Sequence, residues 1–356
     1  MLKKFKLFIA IAILLAQSQI SFAQSTKAKI GFLLPLSGQY AAVGIDNQQG
    51  IEIAKSEIDP SLQFDLIFAD SKADPTQSVS EFKKLSEIDK VIGAFVFRGP
   101  PGMAINPLSL KAHLPLLGGV GNKDFALNNP YAFQLWVRSD TEGEYLATQI
   151  IEKGFKKIAL ITVQDDWPVA VSNGFISRLK ELNTKLIFDQ ELLPTDVDFR
   201  SQISKLRQSN PDAIFLNIGL NQIAPFAKQL REQGVKAQLF SNFWAGKKEV
   251  ITGAGEFGEG MMFAEMATNL DDLKDKLKNR FNSSPSGATL SSYVATIFIA
   301  QSLKGLSNPN PDTFYSSLLA QKEVRTRNGV FEIKNRFVQF PMALRAIRNG
   351  IVVDTD

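Results

Sequence analysis

Residues 29–54 read KIGFLLPLSGQYAAVGIDNQQGIEIA, and this stretch decides the class of fold. Lys29–Pro35 is an apolar run ended by proline, the pattern of a buried strand. Asp46–Ile58 follows, with Ile51, Ala54 and Ile58 spaced along one helix face. Moving outward, Phe64–Ala69 reads as the next strand, Thr76–Ile88 as a helix, and Val91–Phe97 and Leu114–Leu117 as strands. Strands alternating with helices of about 10–15 residues mean βαβ units and a parallel sheet.

The pattern then restarts. Glu142–Lys153 looks helical and Lys157–Val163 looks like a buried strand. Asn173–Leu182, Leu186–Phe188, Phe199–Gln208, Ala213–Asn217, Ile223–Gln233 and Gln238–Ser241 continue in alternation. Residues 271–305 are helix-rich, and the chain ends in β-like stretches, Gly329–Ile333 and Ala343–Val353, separated by Pro341. Strands this late must pair with sheets begun earlier. The expected fold class is therefore α/β, with two Rossmann-like, doubly wound lobes. Ligands of such sheets sit beyond the carboxyl ends of the strands. Two facing sheets would make a cleft suited to capture by hinge closure.

The chain has 356 residues, 40 Lys+Arg against 36 Asp+Glu, and a pI near 9.0. Residues 1–23 carry Lys3, Lys4 and Lys6, an apolar run from Phe5 to Ala16, and the small-x-small pattern Ser21-Phe22-Ala23. This is the layout of a cleaved signal peptide. Its apolar run is shorter than the ~20 residues of a spanning helix. Without the leader the balance is 37 basic to 36 acidic residues, so the basic pI no longer argues for a nucleic-acid partner. With no cysteine, the chain lacks the residue that a lipid anchor, a disulfide scaffold or a thiol nucleophile requires. A periplasmic protein that is not lipid-anchored is expected, and a monomer.

Several motifs, in order, resemble the leucine/isoleucine/valine-binding proteins, periplasmic solute-binding proteins of type I fold that serve ABC importers. They are Pro35-Leu36-Ser37-Gly38, the Ala41-Ala42-x-Gly44 turn, Asp70 with Asp74-Pro75, and Val91-Ile92-Gly93. Further along come Asp198-Phe199, Pro211-Asp212, Ala254-Gly255-Glu256-x-x-Glu259-Gly260, and Pro285-Ser286-Gly287 before Tyr293-Val294-Ala295. The resemblance implies two lobes joined by three hinge crossings, near Arg138–Thr141, Met266–Leu270 and Phe340. Lobe I would comprise residues 27–139 and 269–339, and lobe II residues 140–268 and 340–356. It also implies a small-molecule ligand, inner-membrane permease partners, no cofactor, no metal and no enzymatic activity. A ligand-sensing subunit on the same fold is the alternative role.

The resemblance also points to a site. In the family, small hydroxyl residues and backbone N–H groups after the third strand bind an amino-acid carboxylate. Here the segment is Phe97-Arg98-Gly99-Pro100-Pro101-Gly102, where Gly99 allows close approach and Arg98 can clamp a carboxylate. Asn122 falls at the second carboxylate contact, after the fourth strand, and Val120 of the same loop, Gly118-Gly119-Val120-Gly121-Asn122, is a further ligand-binding candidate. In lobe II the family's acid for the ligand ammonium is missing from Ser241-Asn242-Phe243-Trp244-Ala245, and Trp244 falls near its place. An ammonium buried there would lack a counter-charge, whereas an aromatic ring can stack on a flat ligand. Tyr40 and Trp167 match further cleft positions, and Trp136 is a weaker candidate. Gly219 and Asn221, with Asn217, close the third strand of lobe II. An aromatic or other organic carboxylate thus stands beside an amino-acid-like ligand.

Other signals are set aside. Gly253-Ala254-Gly255-Glu256-Phe257-Gly258 matches G-x-G-x-x-G but reads as a helix-to-strand turn, not a nucleotide loop. His113 reads as a structural or surface residue, and neither Asp165-Asp166 nor Asp271-Asp272 has partners for acid–base work. No catalytic constellation emerges.

Overall fold

The run that opens the quoted stretch forms strand β1 (Ala28–Leu34), buried at every position except Lys29. The structure, a computed structural model, describes residues 27–62, 64–267 and 270–355. The expected leader lies outside the described residues. A strand buried on both faces belongs inside a parallel sheet. Accordingly β1 pairs in parallel with β2 (Phe64–Asp70) on one side and β3 (Gly93–Phe97) on the other. Strands β4 (Leu116–Gly119) and β5 (Ala132–Gln134) extend the sheet beyond β3. The winding reverses at β1, which is where a doubly wound sheet opens a ligand crevice.

The second half repeats the plan. Strand β6 (Ile158–Val163) is wholly buried between β7 (Leu186–Leu192) and β8 (Ala213–Asn217), and β9 (Gln238–Ser241) and β10 (Met262–Met266) follow in parallel. The late strands divide between the sheets. β11 (Glu323–Thr326), β12 (Gly329–Lys334) and β13 (Phe337–Val338) extend the first beyond β5. β14 (Met342–Arg348) and β15 (Ile351–Asp354) run antiparallel beyond β10. The result is an eight-stranded and a seven-stranded mixed sheet, one per lobe. The chain passes between them after β5, after β10 and after β13.

Several boundaries differ from the sequence expectation. Helix α1 (Ala41–Glu57) starts before Asp46, following a single 3₁₀ turn, Gly38–Tyr40. Helix α2 (Pro75–Lys83) gives way to a π-type turn, Lys84–Ile88. Helix α3 (Gly99–Ala112) fills the connection from β3 to β4, and α4 (Asp124–Leu127) is one short turn. Helix α5 (Ser139–Glu152) opens lobe II. Helix α6 (Asp166–Glu181) starts well before Asn173, because the first turn of a helix tolerates Pro168. The Ala343–Val353 stretch is a hairpin turning at Asn349 and Gly350, both at positive φ.

The remaining helices are α7 (Arg200–Ser209), α8 (Leu220–Glu232), α9 (Lys248–Ala254), α10 (Asp271–Phe281), α11 (Gly287–Leu303) and α12 (Pro311–Ala320). The glycine-rich segment after α9 is a 3₁₀ turn, Gly255–Gly258, leading toward β10, as the sequence suggested. His113 ends α3 in the left-handed region and stacks on Tyr131, 5.1 Å between ring centroids.

One close approach shapes lobe II. A Cβ on Gly143 would lie 2.0 Å from the Val171 carbonyl oxygen, and one on Gly174 would lie 2.1 Å from that of Asp140. Helices α5 and α6 therefore touch backbone to backbone. The contact brings Glu142, beside Gly143, next to Trp167 at the start of α6.

Candidate ligand site between the lobes

The loop after β1 is fixed by one carboxylate. Asp70 accepts hydrogen bonds from the backbone N–H groups of Leu36, Ser37 and Lys72 and, at 2.5 Å, from the Ser37 hydroxyl. Burial pushes the Asp70 carboxyl upward, but these hydrogen bonds outweigh it and hold the group below the usual carboxylate range. The short turn that this loop feeds ends at half-buried Tyr40.

Arg98 stands at the carboxyl end of β3 with φ +88°, a conformation that non-glycine residues adopt at a cost. Its N–H donates to the Gly119 carbonyl, and its guanidinium lies 3.4 Å from the centroid of the Tyr40 ring. That stacking is a cation–π contact. The Arg98 Nη1 atom is buried and has no hydrogen-bond partner. The following helix is a weaker anion cradle than its position suggests. Of its first three residues, Pro100 and Pro101 carry no N–H, leaving Gly99 alone to offer one. A Cβ on Gly99 would meet nothing within 4 Å, so the space before this helix is open. Arg98 is the principal donor on this wall.

After β4 the expected residues diverge. Val120 is fully buried and packs with Phe125 and Val96 in the core of lobe I, so its side chain turns away from the cleft. Half-buried Asn122 uses its Oδ1 locally, accepting from the Asp124 N–H at 2.9 Å. Gly121, between them, contacts the cleft: a Cβ there would lie 3.3 Å from Trp167 Cδ1 and 2.7 Å from Ser139 Oγ.

Rings dominate the other wall. Trp167 meets Phe243 at 5.0 Å, Phe243 meets Trp244 at 4.3 Å, and Trp244 reaches across to Tyr40 at 6.4 Å. Trp136, at the first crossing, packs on Phe243 at 5.8 Å and on Phe97 at 5.4 Å. Phe97, Trp136, Trp167, Phe243, Trp244 and Tyr40 thus form one connected aromatic lining that spans both lobes. Phe243 joins three of these rings, and sequence reasoning passed over it. The signal was the aromatic pair Phe243-Trp244 itself. A 3₁₀ turn, capped by Asn242 accepting from the Trp244 N–H, lets both neighbours contribute to the lining.

Asn217 braces this wall from beneath. Its Nδ2 donates to the Pro168 carbonyl and to the Ser172 hydroxyl, and its Oδ1 accepts from Asn242. The loops carrying Trp167 and Phe243 are thereby tied together. Gly219 donates its N–H to Gln222 Oε1, while Asn221 is exposed on the first turn of α8, outside the ring contacts. Across the gap, Lys247 pairs with Asp46 at 3.2 Å, and Ser286 donates to the same carboxylate at 2.7 Å.

Seven buried side-chain polar atoms lack partners among the described residues. Four of them belong to Arg98, Gln134, Ser139 and Glu142, residues of the cleft and the first crossing. Orphaned buried polar atoms are costly and call for an explanation. Glu142 is the most pronounced case. Burial pushes its carboxyl up to about 8, against a hydrogen bond from the Trp167 side chain that favours ionisation.

Two facing α/β lobes, winding reversals on both sides and a lined gap between them are the architecture of a two-lobed binding protein. The chain belongs to the periplasmic binding protein family, whose model matches residues 27–350. It is 26% identical over 312 residues to Leu/Ile/Val-binding protein homolog 1 of Brucella melitensis, covering 82% of each chain. Its fold is similar to that of the leucine-binding protein LivK of Thermotoga maritima, with TM-score 0.83 and 20% identity over 92% of this chain and 98% of that one. It is also similar to a solute-binding protein of R. palustris in complex with benzoate, with TM-score 0.80 and 16% identity over 92% and 95% of the two chains.

Proposed function

We propose that this protein is the solute-binding component of an ABC importer, exported by its leader at residues 1–23, and that it captures a small aromatic carboxylate between its lobes. Arg98 carries the reading. It is a cation stacked on Tyr40, with a buried donor atom still unpaired, at the mouth of an aromatic cleft. A ligand carboxylate would satisfy Nη1 by a charge-assisted hydrogen bond. The flat body of the ligand would replace ring-to-ring contacts among Trp167, Phe243, Trp244 and Tyr40. The resemblance to a benzoate-binding protein supports this ligand class. The relatives named for leucine, isoleucine and valine support an amino acid instead, but the loop after β9 lacks an acid for its ammonium.

The mechanism is capture and closure, with no covalent step. Residues 27–139 and 269–339 would move as one body, and 140–268 and 340–356 as the other, about three crossings. Closure would exclude water from Arg98 and bring Lys247 to Asp46, and the closed form would be presented to the permease. A thermal-shift panel of aromatic carboxylates, aliphatic carboxylates and amino acids tests the proposal. The expected result is a rise in Tm with aromatic acids, lost in Arg98→Met. Stabilisation by leucine alone would overturn the ligand class.

A further inference from the structure

Arg98 accounts for one end of a ligand, and a second set of orphaned atoms gathers at the other end of the aromatic lining. The Gly121 carbonyl accepts from both Gln134 Nε2 and the Ser139 N–H, which draws these residues together under the loop after β4. Trp167 lies against the same glycine and hydrogen-bonds the Glu142 carboxyl. Gln134 Oε1, Ser139 Oγ and Glu142 Oε1 are all buried and all lack a partner. Glu142 is only 4% exposed. Three unsatisfied polar atoms on one short stretch of chain form a polar subsite, provided something occupies it.

We propose that Glu142, with Ser139 and Gln134 beside it, is the ligand's second polar anchor, hydrogen-bonding a hydroxyl on the ring opposite the carboxylate. The inference rests on the aromatic-acid reading above and adds a substrate class to it, the hydroxylated aromatic carboxylates. The charges around Glu142 are engaged elsewhere. On its own helix, Asp140 pairs with Arg138 and Lys123, and Glu144 feels mainly burial and Asp140. On α6, Arg178 holds Thr148 and Glu181, and Asp166 and Asp165 flank the helix start. On the strands packed against α5, Arg345 holds Glu265. No cation among the described residues compensates a charge on Glu142, so it is a neutral acid near pH 7.

A neutral carboxyl is both donor and acceptor. With the Trp167 donor taken by one oxygen, the other can give its proton to a phenolic oxygen or accept the phenolic proton. An ammonium would instead draw Glu142 into its ionised form, so the two ligand chemistries predict opposite responses to Glu142→Gln.

The test compares 4-hydroxybenzoate with benzoate by calorimetry, between pH 6 and 8.5, on the wild type, Glu142→Gln and Glu142→Leu. The hydroxyl is expected to tighten binding roughly tenfold in the wild type, the scale of one good buried hydrogen bond. The preference should persist in Glu142→Gln, whose amide also donates and accepts, and vanish in Glu142→Leu, where the two acids should bind alike. Equal affinities in the wild type, or a preference that survives Glu142→Leu, would overturn the inference and leave the aromatic-acid reading standing. Failure of both acids to bind would overturn both. So would leucine binding that strengthens with pH and is lost in Glu142→Gln, because it would make Glu142 an ionic partner for an ammonium.

Discussion

The two walls of the cleft come from lobes with the same winding, yet their chemistry differs. Lobe I offers a cation, Arg98, stacked on a single tyrosine and set beside a helix whose prolines remove backbone donors. Lobe II offers three large rings, braced by Asn217 and Asn242, above a buried acid whose carboxyl burial pushes up to about 8. The first wall suits a carboxylate. The second suits a flat apolar body with a neutral polar tip. The same strand-end architecture therefore presents two chemically different walls through a handful of loop residues, as expected where function is grafted onto a shared fold.

The comparison can be broken most severely through Gly143. Gly143→Val should force apart the helix contact that brings Glu142 against Trp167, destabilising the protein by more than about 3 kcal/mol, the upper range of overpacking. Chemical denaturation measures it, and a loss below 1 kcal/mol would show that the contact is adaptable.

Glu142 sharpens the comparison through pH. The native carboxyl holds its proton up to about 8, whereas the unfolded chain releases it near the ordinary 4.5. Between those values the native state binds more protons, so stability falls as pH rises, and the full cost is present above about 8. Glu142→Gln should flatten that decline, gaining on the order of 5 kcal/mol over the wild type at pH 9. Parallel pH profiles in the two proteins would contradict it.

Arg98→Met keeps the stem and removes the charge. Affinity for a carboxylate should fall about 10- to 150-fold, the range of a charged hydrogen bond, as measured by titration calorimetry. The smallest effect belongs to Lys247→Met. Its pair with Asp46 is partly exposed and should contribute less than about 1 kcal/mol to closure. A severalfold faster ligand release in stopped flow is the expected sign.

Much of this was legible in the sequence, for reasons that differ by residue. The buried run at Lys29–Pro35 and its successors specify parallel strands by composition alone. Tyr40, Arg98, Trp167 and Trp244 could be nominated because they fall, in strand-end loops, where the resembled family lines its cleft. Glu142 was not legible. In Ser139-Asp140-Thr141-Glu142 it looks like one of the acids that favour a helix N-terminus in water, whereas the close packing of Gly143 on Val171 and of Gly174 on Asp140, pairs distant in sequence, buries this face of the helix. Val120 illustrates the converse, a residue at a cleft position whose side chain faces the core. Pro168 hid the start of α6, because a proline in a first helical turn looks like a break when read along the chain.

The most direct test of the account is a head-to-head titration of the purified protein with 4-hydroxybenzoate and leucine, read by calorimetry and tryptophan fluorescence. The account predicts that 4-hydroxybenzoate binds and alters the emission of Trp167 and Trp244, while leucine gives no heat. Tight leucine binding with no response to the aromatic acid would contradict it.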